Sequence, residues 1–260
     1  MSYSPNFFEN QFRCPTKHYE IKVAGKRLLY AYIRKNACTS FKGLINRKLH
    51  PRFVVKQIIL GNRKGRYDIG GNMKYYSVKN NAQFKIDTYD EIIFVHRDPV
   101  SRFISVFTNK FIDNVGAEGI KNNFETLMNI SFEEATFNDF MNYSKNEFSE
   151  LDCHMWPQKS HLWDIDYSLP IPIDDLASVM SNSIGKNIAE KWFGRKINFS
   201  RSDGKEVLGY LDRRTVRELR KLQRKGYSIQ KNNFMIHGLE NFIQDRYEMD
   251  FHMIAASGNG

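Results

Sequence analysis

The chain has 260 residues, with 39 Lys+Arg against 29 Asp+Glu and a formal net charge of +10. Aromatics at 14% exclude a disordered chain, which carries too little apolar surface to fold. No run approaches the roughly 20 consecutive apolar residues of a membrane-spanning helix. The opening MSYSPNFFENQFR has no apolar core of signal-peptide length, so export is not expected. Cys14, Cys38 and Cys153 are scattered; they form neither a disulfide framework nor a zinc spacing and fit a reducing compartment. The charge points to an anionic partner: nucleic acid, anionic lipid, a phosphorylated cofactor or an acidic polymer. Composition does not choose among them.

In chain order, residues 1–27 read as an N-terminal extension. Leu28 to Ile33 is a short apolar run of buried-strand type. It breaks into RKNACTS, then a predicted helix from Ser40 to Leu49 with Phe41, Leu44, Ile45 and Leu49 on one face. Gly61 to Lys85, rich in Gly, Asn and Lys, reads as a loop or flap. Glu91 to His96 (EIIFVH) is a second strand, followed at once by a helix with Pro99 in its first turn and Val100, Phe103, Ile104, Phe107 and Phe111 at helical spacing. Helices are predicted over Phe132 to Tyr143, with Ser131 and Glu134 as capping box, and over Ile173 to Ile184, Arg213 to Arg224 and Leu239 to Ile254. Leu162 to Ile165 reads as a strand, closed by Pro170 to Pro172, and the tail from residue 255 to 260 as disordered. Strand, tight loop and helix in repeated order predict an α/β fold: a three-layer domain over residues 28–254 with a mainly parallel central sheet and helical additions.

Ligands of such sheets sit outside the carboxyl ends of the strands. The first turn, Arg34, Lys35, Asn36, Ala37, Cys38, Thr39 and Ser40, brings two cations, small residues and two hydroxyls to a helix start. That chemistry can cradle an oxyanion through backbone N–H groups. It lacks the glycines and the Gly-Lys-Ser/Thr ending of a Walker A loop. The plainer alternative is a Thr39 or Ser40 N-cap beside solvated cations. In the second turn Asp98 and Pro99 are explained by helix capping, which leaves Arg97 at the strand exit for an anion or a salt bridge.

RKNACTSFK followed by FVHRDPVSRFISVF resembles the carbohydrate sulfotransferases of the Golgi-type and bacterial family 2 group, with their Pro-Lys-x-x-Cys-Thr-Ser-Trp-Lys loop and Arg-Asp-Pro-x-x-Arg-x-x-Ser turn. Asp152 to Gln158 (DCHMWPQ) is similar to the Asp-x-His-Trp-x-Pro-Gln segment of that family, and FIQDRYEMDFHMI to its closing Tyr-x-x-Asp-Phe helix. The resemblance implies a P-loop-like fold that uses 3′-phosphoadenosine 5′-phosphosulfate (PAPS), without a metal, to sulfate a sugar hydroxyl. It implies that Arg34 to Ser40 grip the 5′-phosphosulfate and that Arg97 and Ser105 hold the 3′-phosphate. Lys35 would stabilise the leaving phosphate, and His154 would be the general base, with Asp152 the nearest substitute. The structural alternative for His154 is packing in a Trp- and Pro-rich turn.

Arg34 replaces the proline of the family, and Trp156 falls one position late. The lack of a membrane anchor and of paired cysteines points to a bacterial-type cytoplasmic enzyme, or to the Golgi lumen if the chain is a piece of a longer one. The implied acceptor is a glycan, glycolipid or capsule precursor, acidic or lipid-linked. The basic stretches 62–79 and 213–224 suit an acidic acceptor, peripheral membrane contact, or simply a solvated face. Trp156, Trp163 and Tyr167 could stack on sugars, though aromatics more often fill cores. Rival readings are a P-loop-like kinase, a nucleic-acid-binding module and a non-catalytic family member. The first lacks a Walker loop, and the second lacks RRM, KH or zinc-finger signatures, so no nucleic acid is expected.

Overall fold

The sequence HYEIKVAGKRLLYA turns back on itself to open the sheet. In the computed structural model, which describes residues 17–45, 75–76, 86–194 and 204–258, β1 (His18–Val23) pairs antiparallel with β2 (Lys26–Ala31). Ala24 and Gly25 both take positive φ, at 52° and 79°, the two-residue turn whose twist matches a right-handed hairpin. β1 lies ahead of the first strand expected from sequence. Its Glu20 is buried against the strand partner Arg27, which masks it as a polar interruption.

β3 (Tyr75–Tyr76), β4 (Glu91–His96) and β5 (Leu169–Pro172) complete a sheet of order β3-β1-β2-β4-β5. β2, β4 and β5 are mutually parallel and β1 alone runs against the other four. The α/β class with a mainly parallel sheet is therefore what the chain adopts. Apart from Tyr75–Tyr76, the expected 61–85 loop lies outside the described residues.

Leu162 to Ile165 is not a strand. Trp163 is instead turned inward, its N–H donating to the Tyr167 hydroxyl at 2.9 Å, and the strand falls on Leu169-Pro-Ile-Pro172. Two prolines fit there because β5 is an edge: Pro170 and Pro172 alternate with Ile171, so their missing N–H groups fall on the unpaired side.

Contacts divide the chain into two compact units, Met1–Arg97 with Ser160–Ile197, and Asp98–Lys159 with Asn198–Gly260. In the first, one sheet face buries Ile21, Leu28, Tyr30 and Ile93 against α1 (Cys38–Gly43), α5 (Leu176–Ile184) and α6 (Lys186–Trp192). Tyr30 stacks on Phe41 at 3.7 Å between ring centroids. The other face buries Leu29 and Ile92 with Trp163. α1 starts at Cys38, and the part of its expected span beyond Ile45 is outside the described residues.

The second unit explains the phenylalanine content. α2 (Pro99–Val106) continues into a π-helical stretch, Phe107–Ile112, and packs with α3 (Glu118–Met128) and α4 (Phe137–Tyr143) around Phe103, Phe107, Phe111, Phe124 and Phe140. α4 begins five residues later than expected, at a Thr136/Asp139 capping box. The carbonyls of Glu133 and Ala135 cannot start it earlier, because they accept from the N–H groups of Arg217 and Val216. Those open α7 (Val216–Arg224), itself capped by Thr215 and Glu218. The expected terminal helix is two, α8 (Leu239–Arg246) and α9 (Glu248–Ser257), broken at Tyr247; α9 includes the start of the supposed disordered tail.

His18 gives the first unit a pH dependence. It is buried, stacks on Trp163 at 3.9 Å and bonds the Tyr167 hydroxyl through Nε2 at 2.7 Å. Burial lowers its pKa from 6.5 to about 3. The folded pKa lies below the unfolded one, so this stability is complete above pH 6.5 and is lost as pH falls toward 3. Denaturant titrations should show a loss of about 2 kcal/mol by pH 5 from this group. His18→Gln should flatten that slope; an unchanged slope would mean that other groups carry it.

Candidate active site

The loop after β2 is shaped by two left-handed residues, Lys35 (φ 70°) and Ala37 (φ 53°). Neither is glycine, so the backbone carries strain that packing must hold. Such alternation turns successive N–H groups to one side and makes an anion-binding concavity. Ala37 stands at the N-cap of α1 with no side-chain cap, so the capping role expected of Thr39 or Ser40 is not observed. Both lie within the first turn. Burial raises the pKa of the Tyr32 hydroxyl, with Cys38 close by, and Arg34 lies 5.6 Å from the Tyr32 ring.

Asn36 is buried and has a structural task. Its Nδ2 donates to the Val95 carbonyl at 2.8 Å, tying the loop to the carboxyl end of β4. Arg97 is the next residue but one after Val95. Parallel pairing of β2 with β4 thus brings Arg34 to Ser40 and Arg97 to the same end of the sheet. His96 is buried between them in sequence, and burial lowers its pKa despite Asp175, which suits a strand-end packing role.

In the second unit Asp98 caps α2 as expected, accepting from the Ser101 N–H at 2.8 Å and its hydroxyl at 2.5 Å, with Pro99 in the first turn. Burial would raise its carboxyl, but these bonds and the Lys231 ammonium hold it below the usual range. Ser105 is half-buried on α2, just before the π-helical stretch.

The segment 152–159 is the most heavily supported part of this unit. Asp152 Oδ1 accepts from the His154 backbone N–H at 2.9 Å and from its Nδ1 at 2.6 Å. An ionised carboxylate only accepts, so Nδ1 bears the proton and the imidazole lone pair is on Nε2. Asp152 is set in turn by Asn123, whose Oδ1 accepts from its N–H at 2.9 Å, and by Gly119, where a Cβ would come within 3.3 Å of Oδ2.

Three further ties hold the rest of the turn, from His154 to Lys159. Arg102 of α2 donates to the His154 carbonyl at 3.4 Å. Tyr247 donates to the Met155 carbonyl at 2.9 Å. Asp250 accepts from the Lys159 N–H at 2.9 Å and from Gln158 Nε2 at 3.4 Å. Asp250 is fully buried; burial pushes its carboxyl up, opposed by the Arg102 guanidinium and the N–H groups of Gln158 and Lys159. The sequence signals Tyr247 and Asp250 only as a terminal motif and gives Arg102 no role. Their task is to fix the turn that carries His154.

Trp156 and Trp163 are buried, so the core reading holds for both and neither is a sugar platform. The Trp156 indole donates to the Leu151 carbonyl at 3.3 Å. The ligand atoms of Asp152, Cys153 and His154 lie within 4.8 Å of one another, the one metal-type cluster among the described residues. It is three adjacent positions in a tight turn, already joined by the Nδ1–Oδ1 bond.

A loop bent by two left-handed residues lies at parallel strand ends, and an imidazole is held in one tautomer elsewhere in the chain. Residues 20–253 match the model of the Sulfotransferase family; the chain belongs to it and is a sulfotransferase. No curated protein and no solved structure matches the chain. No helix among the described residues is long and apolar enough to cross a membrane.

Proposed function

We propose that the protein is a PAPS-dependent O-sulfotransferase acting on a carbohydrate hydroxyl. The observation that carries this reading is the Asn36–Val95 bond, which keeps the Arg34 to Ser40 loop beside the strand end that leads into Arg97. A donor with phosphate at both ends of its ribose suits two anion-binding turns set side by side.

PAPS supplies an activated sulfuryl group on a phosphate leaving group. Lys35, Thr39, Ser40 and the backbone from Asn36 to Cys38 bind the 5′-phosphosulfate, with Arg34 adding charge. Arg97 and Ser105 bind the 3′-phosphate. Lys35 faces the bridging oxygen, where negative charge grows as the S–O bond to phosphate breaks. His154 Nε2 takes the proton of the acceptor hydroxyl as the new S–O bond forms, and Asp152 holds Nδ1. No metal is needed for this balance. An acidic or lipid-linked glycan suits the excess of cations, and a reducing cytoplasm suits the few, scattered cysteines of the sequence. Residues 28–254 act as one catalytic domain in this reading.

The test is a thermal-shift comparison of adenosine 3′,5′-bisphosphate with 5′-AMP. The bisphosphate should stabilise the protein more, and Arg97→Ala should abolish the difference. Equal stabilisation of the wild type by both nucleotides would refute the donor assignment.

A further inference from the structure

Five large apolar side chains are exposed among the described residues, and three of them, Leu208, Tyr210 and Tyr227, belong to one stretch of the second unit. Leu208 is 91% exposed and Tyr210 65%. The turn that presents them is built. Asn233 is buried, and its Nδ2 donates to the carbonyls of both Val207 and Gly209 at 2.8 Å. The Leu211 N–H returns a bond to the Asn233 carbonyl at 2.9 Å. Gly209 takes φ 87°, where a side chain would be strained. Tyr227 is brought alongside by the short pairing of β6 (Lys205–Glu206) with β7 (Tyr227–Ser228).

The same stretch of sequence is rich in cations. Residues 204–228 hold eight Lys and Arg against three Asp and Glu, a net +5, half of the whole chain's +10. Three of these cations are already engaged: Arg214 with Glu218, Arg217 with Glu134, and Arg220 with Glu133 and the carbonyls of Phe111 and Ile112. Lys205, Arg213, Lys221, Arg224 and Lys225 are exposed and form no ion pair among the described residues. On α7, Lys221 and Arg224 share a stripe with Arg217, opposite the buried Val216 and Leu219.

We propose that this face docks the protein on an anionic lipid surface, with Leu208 and Tyr210 entering the headgroup boundary and the exposed cations facing the lipid charges. An acidic polysaccharide would satisfy the cations. It would gain nothing from an aliphatic side chain held at the tip of a rigid turn. Exposed Leu and Tyr two positions apart, in a stretch rich in exposed Lys and Arg, are the chemistry of an interfacial anchor. Polybasic attraction and shallow apolar insertion reinforce one another on such a surface. Sulfuryl transfer itself does not require this face, so the inference stands apart from the donor assignment.

The experiment is co-sedimentation of the full chain with phosphatidylcholine vesicles, with and without phosphatidylserine. Binding is expected only with phosphatidylserine, weakening as salt rises. Leu208→Ser with Tyr210→Ser should reduce it about tenfold or more, as should Arg213→Gln with Lys221→Gln and Arg224→Gln. Circular dichroism and thermal stabilisation by adenosine 3′,5′-bisphosphate should stay unchanged in both variants, which separates lost docking from lost folding. Failure of the wild type to bind phosphatidylserine vesicles would overturn the proposal, and so would undiminished binding by the Leu208/Tyr210 variant. So would a soluble acidic polysaccharide that binds the wild type and fails with that variant while vesicles do not bind.

Discussion

His154→Ala is expected to lower kcat by about 10²- to 10⁴-fold while leaving the affinity for adenosine 3′,5′-bisphosphate unchanged. The size of the effect follows from the proposed role of the imidazole as general base. An acceptor hydroxyl is a weak nucleophile until its proton leaves, and a base must present a lone pair to it in the transition state. Asp152 arranges this by taking both the Nδ1 proton and the His154 backbone N–H on one carboxylate oxygen. Asp152→Asn removes the acceptor-only partner and lets an amide N–H face Nδ1, which favours the opposite tautomer. It should therefore fall between wild type and His154→Ala in kcat, with little change in KM for the acceptor. Steady-state rates measured alongside nucleotide affinity separate this from a folding defect. Full turnover by His154→Ala would remove the base from this position and make Asp152 the first group to test.

Local signals in the chain carried the reading far, and long-range ones limited it. EIIFVH followed by Asp98-Pro99 is a strand and a capped helix start written in adjacent residues, and both stand as expected. The loop from Arg34 to Ser40 was legible for the same reason, because strand, turn and helix follow one another. The pairing of Asp152 with His154 is local too, two positions apart, yet from the sequence Asp152 stands as a substitute base and not as the partner of His154. Where a residue's partner is remote, the pattern misled. α4 starts late because residues some 80 positions downstream occupy the carbonyls that would have extended it. Leu169-Pro-Ile-Pro172 reads as a terminator because only the finished sheet makes it an edge. The ties of Arg102 and Asp250 to the 154–159 turn span 52 and 91 residues, and no spacing rule reaches that far.

Asp250→Ala should destabilise the second unit by about 1–3 kcal/mol, the cost of leaving buried donors without their acceptor. The side chain is fully buried, and its loss removes the acceptor of the Lys159 N–H and a negative charge that the Arg102 guanidinium feels. Yet the ionised carboxylate is not a source of stability in itself. Burial raises its pKa, so this group favours folding most at pH below the ordinary carboxylate value and loses that contribution as pH rises through the raised one. What it supplies at neutral pH is position. Asp250 holds the far end of the turn, Tyr247 its middle at the Met155 carbonyl, and Arg102 the His154 carbonyl. A double replacement, Arg102→Met with Asp250→Leu, removes both charges and fills the space with apolar atoms. In chemical denaturation it should recover much of the stability that Asp250→Ala loses. Sulfuryl transfer should not recover with it, because the bonds from Lys159 N–H to Asp250 and from Arg102 to the His154 carbonyl are both lost. Recovery of turnover together with stability would show that the buried pair serves folding alone and that the turn holds His154 in place without it.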